Sequence, residues 1–150
     1  MPDSPSQIVQ DNKARTRRWF EEVWNQGRHE TIDELLAPHA MAYGLGEAGK
    51  GLRGREYFRA FYDTFRNALS DLHVDLADII GEGDRTAVRI TLRAAHTGEG
   101  LGMPPSGAKI AVSGMVMMRW ENGQIAEGWN EYDAAGMMEQ IRAATGNRST

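Results

Sequence analysis

The sequence contains no cysteine. That single absence excludes disulfides, thiolate metal sites and a thiol nucleophile. Long apolar runs are also missing: a stretch such as Met115–Met118 falls far short of the roughly 20 residues a helix needs to cross a bilayer. The N-terminal string MPDSPSQIVQDNKARTRRW has no apolar core of signal-peptide length, so the expected location is cytoplasmic and no membrane partner is expected. A coherent basic face is lacking too. Net charge is −4, and Arg15, Arg17, Arg18, Arg53, Arg55 and Arg59 are scattered, which argues against nucleic acid as a partner. His29, His39 and His73 are dispersed without metal-ligand spacing, so no metal is expected. The glycine-rich segment Gly44–Gly54 lacks the Lys-Ser/Thr pair and flanking strand of a phosphate-binding loop and reads as a plain loop.

The 150 residues, 41% apolar and 25% charged, suit one globular domain with one core. Ser4-Pro5 is an N-cap followed by the proline that fits the first helical turn. From there Ile8, Val9, Trp19, Phe20, Val23 and Trp24 recur at helical spacing, predicting one long helix to Gln26, closed by Gly27. Thr31 with Glu34 has capping-box spacing and predicts a short helix ended by Pro38. Met41–Gly44 reads as a short strand. Arg55–Leu69 is helical, with Phe58, Phe61, Phe65 and Leu69 on one face that packs as core or lines a cavity.

Alternation then takes over. Leu72, Val74 and Leu76 form the buried face of one strand, and Val88, Ile90 and Leu92 that of the next, with Gly81-Glu82-Gly83-Asp84 as the turn between. After a Gly/Pro loop, Gly98–Gly107, the runs Lys109–Glu121 and Gln124–Asp133 are joined by Asn122-Gly123, a strong two-residue hairpin signal. Ala134–Ala143 predicts a closing helix whose N-cap is Asp133. Residues 1–5 and 145–150 are expected to be frayed tails of a single domain spanning 1–150. Helices segregated from a meander of strands imply an α+β class.

Three strings in this order, HTGEGLGMPPSG from His96, MRWENGQIAEGWNEYD from Met118 and AAGMMEQI from Ala134, resemble the SnoaL-like polyketide cyclase family of the nuclear-transport-factor-2-like (NTF2-like) superfamily. The resemblance implies a cone: a curved antiparallel sheet wrapped around N-terminal helices, an apolar cavity, and a homodimer packed through the sheet. It also implies aldol ring closure on a polyketide ester with no cofactor. Family members use an aspartate on the last strand, paired across the hairpin with a histidine. A gap-free match through the Asn-Gly turn puts Asn130 and Val116 at those positions, and Gly114 where the family has a glutamine. Asparagine hydrogen-bonds but does not accept a proton at neutral pH, so the proton-transfer step does not carry over.

Strand alternation places Tyr132 on the same face as Asn130. Asn130 reads either as a ligand-binding amide or as one satisfied by nearby backbone. His96, matching a histidine frequent at this place in the family, reads either as a general base or as an anchor for the Gly/Pro loop. Val116, Gly114, Phe61, Trp24 and Tyr43 are, with Tyr132, the further candidates for the substrate-binding wall of the cavity. The expected function is therefore an enzyme related to the SnoaL-like cyclases, acting on a small apolar polyketide-like or carbonyl-bearing molecule by cyclisation, isomerisation or hydration. The alternatives are a noncatalytic small-molecule-binding module and an enzyme like an epoxide hydrolase or ketosteroid isomerase.

Overall fold

The computed structural model of the protein describes residues 3–45 and 50–146. Helix α1 spans Pro5–Arg18, and the Ser4 hydroxyl accepts from the Gln7 amide at 3.2 Å as its N-cap. The single helix expected to Gln26 changes character at Trp19: residues Trp19–Asn25 form a π-helix. Its wider hydrogen bonds continue past its end, from the Gln26 amide to the Glu21 carbonyl at 2.9 Å and from the Arg28 amide to the Glu22 carbonyl at 2.9 Å. Wider turns stagger the carbonyls, and α3 (Arg55–Ala68) takes up two of them. The Tyr62 hydroxyl donates to the Val23 carbonyl at 2.7 Å, and the Arg66 guanidinium donates to that of Trp24.

Helix α2 covers His29–Leu35 and starts before the expected capping box. Thr31 lies inside it and donates instead to the Glu22 carboxylate at 2.8 Å. Strand β1 then spans Leu36–Tyr43, longer than the expected Met41–Gly44, and runs through Pro38. The proline is accommodated because the pairing register slips between Leu36 and Met41, where no ladder bond needs its missing N–H. Strand β2 is Leu52–Arg53, β3 Leu69–Glu82, β4 Arg85–His96, β5 Lys109–Glu121 and β6 Gln124–Tyr132; α4, Ala134–Gly146, closes the chain. The helix thus continues past Thr145, where a frayed tail was expected, while residues 46–49 of the glycine-rich segment and the tail residues 1–2 and 147–150 lie outside the described residues.

The six strands make one curved, unclosed sheet in the order β2-β1-β6-β5-β4-β3. All pairings are antiparallel except β1 with β6, which is parallel. Bulges bend the sheet: the β3–β4 register shifts between Ser70 and His73, where Asp71 has φ 52°, and again between Leu76 and Asp78. The β5–β6 turn has φ 53° at Asn122 and 78° at Gly123, the left-handed pair that a two-residue hairpin requires. One face carries Val74, Val88, Ile90, Leu92, Val112, Val116, Met118 and Trp120, all buried in a core shared with Trp19, Phe20, Val23, Phe58, Tyr62 and Phe65 of the helices.

Two polar devices fasten this core. Thr86, 1% exposed, accepts from the Trp120 indole at 2.9 Å and pairs with the Thr16 hydroxyl at 2.8 Å, which ties α1 to β4 and β5. At the other end, β5 runs beyond the last residue of β6. There the Gln140 amide of α4 completes the ladder, accepting from the Ala111 amide at 2.9 Å and donating to its carbonyl at 3.0 Å. Among the described residues no helix is long and apolar enough to cross a membrane.

Candidate functional site

Between the helices and the inner sheet face lies a cavity of about 50 Å³, lined by Phe20, Trp24, Leu45, Phe61, Phe65, Val74, Ile90, Leu92, Val116, Asn130 and Tyr132. A second void of about 30 Å³ adjoins it and shares Trp24, Leu45, Val116 and Asn130. Every element contributes for a local reason. The π turn presents Phe20 and Trp24, α3 gives Phe61 and Phe65 at a four-residue interval, and strand alternation aims Ile90 and Leu92 inward from β4. Trp24 meets Phe58, Tyr62 and Phe65 edge-on, with ring centroids 5.2 to 6.2 Å apart, which sets its plane against the cavity.

The hairpin register pairs Val116 directly with Asn130 and Gly114 with Tyr132. Of the described lining side chains only Asn130 and Tyr132, together with the Trp24 indole N–H, carry polar atoms. Asn130 is half-buried, and its Nδ2 donates to the Tyr43 carbonyl at 2.9 Å. The Tyr132 ring stands edge-on to Phe65 at 6.4 Å, and burial pushes its phenol pKa up, so the hydroxyl stays protonated at neutral pH. Among the described residues neither the Asn130 Oδ1 nor the Tyr132 hydroxyl has a hydrogen-bond partner.

The other sequence candidates lie elsewhere. Tyr43 contributes its carbonyl, but its ring stacks on Trp129 at 5.7 Å and its hydroxyl reaches Glu127 at 3.4 Å, away from the cavity. Gly114 is not a lining residue: a Cβ there would stand 2.9 Å from the Tyr132 Cβ, so its bareness is what allows Tyr132 to pack so closely. His96 is fully buried and also outside the lining set. Its Nδ1 faces the Ser106 hydroxyl at 2.8 Å and accepts from the Ser106 amide at 3.3 Å, while the Ala108 amide donates to the Ser106 oxygen at 3.2 Å. With Nδ1 accepting, Nε2 carries the proton and has no partner among the described residues. His96 thus anchors the Gly/Pro loop to the end of β4. Asp133 caps α4 by accepting from the Gly136 amide at 2.8 Å.

Sequence spacing did not point to Phe20, Leu45, Ile90 or Leu92 as cavity wall, because each reads equally well as core. Among the described residues no three His, Asp or Glu side chains are arranged to hold a metal. The larger hollows are open surface grooves. The one along β1 and β6, about 410 Å³, holds Arg119, already bound to Glu127 at 2.8 Å and to Glu121 at 3.2 Å.

Comparison with known proteins gives a consistent result. Residues 14–141 match the profile of the SnoaL-like polyketide cyclases. The aklanonic acid methyl ester cyclase DnrD of Streptomyces peucetius is 25% identical over 114 residues, covering 74% of this chain and 79% of DnrD. A structure from Jannaschia sp. CCS1, described as a SnoaL-like polyketide cyclase, superposes with a TM-score of 0.84 at 26% identity, covering 95% of this chain and 98% of that one. TsrD from Streptomyces laurentii superposes with a TM-score of 0.77 at 27% identity, covering 89% and 96%.

Proposed function

Because the chain belongs to the SnoaL-like polyketide cyclase family, we propose that it is an enzyme whose cavity receives a small apolar, carbonyl-bearing or polyketide-like molecule for cyclisation, isomerisation or hydration. The observation that carries this reading is the wall itself. An otherwise apolar cavity offers two oxygens that have no partner among the described residues, Asn130 Oδ1 and the Tyr132 hydroxyl, on one face of β6. The protonated Tyr132 donates to a substrate carbonyl, draws charge onto that oxygen and acidifies the adjacent C–H. Asn130 orients the substrate and takes no proton. His96, sealed behind the Gly/Pro loop, acts by holding that loop rather than as a base.

At about 50 Å³ the cavity is smaller than the 300–1,000 Å³ typical of ligand sites. Loading therefore involves movement of the half-buried rim residues Trp24 and Phe61. The test is incubation of the purified protein with polyketide esters, including aklanonic acid methyl ester, followed by separation of isomeric products and of products heavier by one water. Ring closure supports the enzyme. Saturable binding without turnover supports a noncatalytic binding module, a reading favoured by the lack of any carboxylate or imidazole among the described lining side chains. Neither binding nor turnover across the panel sinks both.

We also propose that the working form is a homodimer through the outer sheet face. The register sets Ile80, Ala87, Met117 and Trp129 side by side across four strands, and Ile80 and Met117 are 68% and 40% exposed, with Met115 beside them at 60%. Sedimentation should show a dimer that Met117→Lys converts to monomer; a wild-type monomer at micromolar concentration rules the interface out.

A further inference from the structure

We propose that Asn130 makes the cavity selective for a ligand hydroxyl, its side-chain oxygen accepting the O–H of a phenol or of an enolised carbonyl compound. The proposal rests on the reading of the cavity as a ligand site and adds what that site discriminates.

The polarity of the Asn130 amide is set by its surroundings. Nδ2 donates to the Tyr43 carbonyl at 2.9 Å. Reversing the amide would bring Oδ1 against that carbonyl, two acceptors with no proton between them. The carbonyl itself is held in place. The chain turns immediately after it at Gly44, φ 82°, packed so tightly on β6 that a Cβ at Gly44 would fall 1.9 Å from the Asn130 carbonyl oxygen. With the donor end occupied and its direction fixed, Oδ1 is the atom left to serve the cavity, and no described residue donates to it. Of its neighbours in both voids, Leu45 and Val116 are apolar, and the Trp24 indole N–H makes no hydrogen bond to it.

A guest that supplies an O–H satisfies this oxygen. A guest of the same shape without one buries it unpaired, and buried acceptors left without partners are penalised more heavily than formed bonds are rewarded. The structure thus assigns Asn130 a role a carboxylate at the same position would not fill in the same way, since an ionised carboxylate would face the Tyr43 carbonyl with like charge.

Phenol and toluene, equal in shape and differing in the O–H, are the probes. Titration calorimetry on the wild-type protein and on Asn130→Leu should show the phenol-to-toluene affinity ratio falling about tenfold in the variant. Should Asn130→Leu fail to fold, the side-chain carbonyl carbon of Asn130 in the wild type is followed by NMR: phenol should move its resonance and toluene should not. An unchanged ratio, or equal resonance shifts from both probes, overturns the role of Asn130 while the cavity reading stands. If neither probe binds saturably, the cavity reading falls and this proposal with it.

Discussion

Replacing Asn130 with aspartate tests the site most directly, because it installs the family's carboxylate into the geometry of this chain. The amide N–H that the Tyr43 carbonyl accepts at 2.9 Å would be lost, and an ionised carboxylate would face the carbonyl oxygen instead. The acid would therefore hold its proton to higher pH than usual and, while protonated, donate to Tyr43, in a wall otherwise made of Trp24, Leu45 and Val116. Full burial raises a carboxyl pKa by up to 3–5 units; for a half-buried position we take about two, from roughly 4 to roughly 6.

At about 1.4 kcal/mol per unit, the variant should be about 3 kcal/mol less stable than wild type at pH 7. The sign is that of proton uptake. Between pH 4 and 6 the folded variant would hold a proton that the unfolded chain has released, so the deficit shrinks as pH falls through about 6 and vanishes below about 4. Thermal melts of both proteins from pH 4 to 8 would show the difference as about 5–10 °C at neutral pH, closing on acidification. A difference flat across this range, or a carboxyl resonance titrating near 4, would refute the placement of Asn130 against Tyr43. Above pH 6 the same variant gains a general base, and a new rising limb in its activity profile is expected there.

Ser106→Ala removes the hydroxyl that His96 and the Ala108 amide share. Leaving that amide without a partner should cost about 1–3 kcal/mol in urea denaturation, with faster hydrogen exchange through the loop between β4 and β5. The Arg119 guanidinium, through its hydrogen bond, holds the Glu127 carboxyl below the usual glutamate range. Its stabilisation is present above the unfolded-state pKa and lost as pH falls through the lowered folded one, so Glu127→Gln should flatten the acid limb of stability below about pH 4.5.

The elements legible in the sequence were those governed by near neighbours. Alternation in Val88, Ile90 and Leu92 located β4, Asn122-Gly123 set the hairpin, and Ser4-Pro5 opened α1. Features decided by distant contacts did not show. Trp19, Phe20, Val23 and Trp24 fit an ordinary helix, and the π turn becomes visible only with Tyr62 and Arg66 on its carbonyls. Pro38 reads as a helix terminator because the slip that admits it into β1 belongs to pairing with β6, far along the chain. In the candidate site, the pairing of Val116 with Asn130 was implied by the family resemblance and not by the turn: a two-residue turn alone sets Val116 opposite Trp129, and the register shift between Arg119 and Trp120 moves it to Asn130. The stacking of Tyr43 on Trp129 was implied by neither, since it depends on a parallel pairing with no local signature.

The π turn also bears on how such a cavity can change its contents. Each residue added to or removed from a regular helix rotates all the later side chains by about 100° around its axis. A one-residue deletion between Trp19 and Asn25 that left the wide winding unchanged would carry Trp24 away from the cavity while leaving the composition of the wall nearly intact. In this chain the contour of the binding space is written partly in the number of residues along one turn, so an insertion or deletion there can remodel specificity without exchanging any side chain.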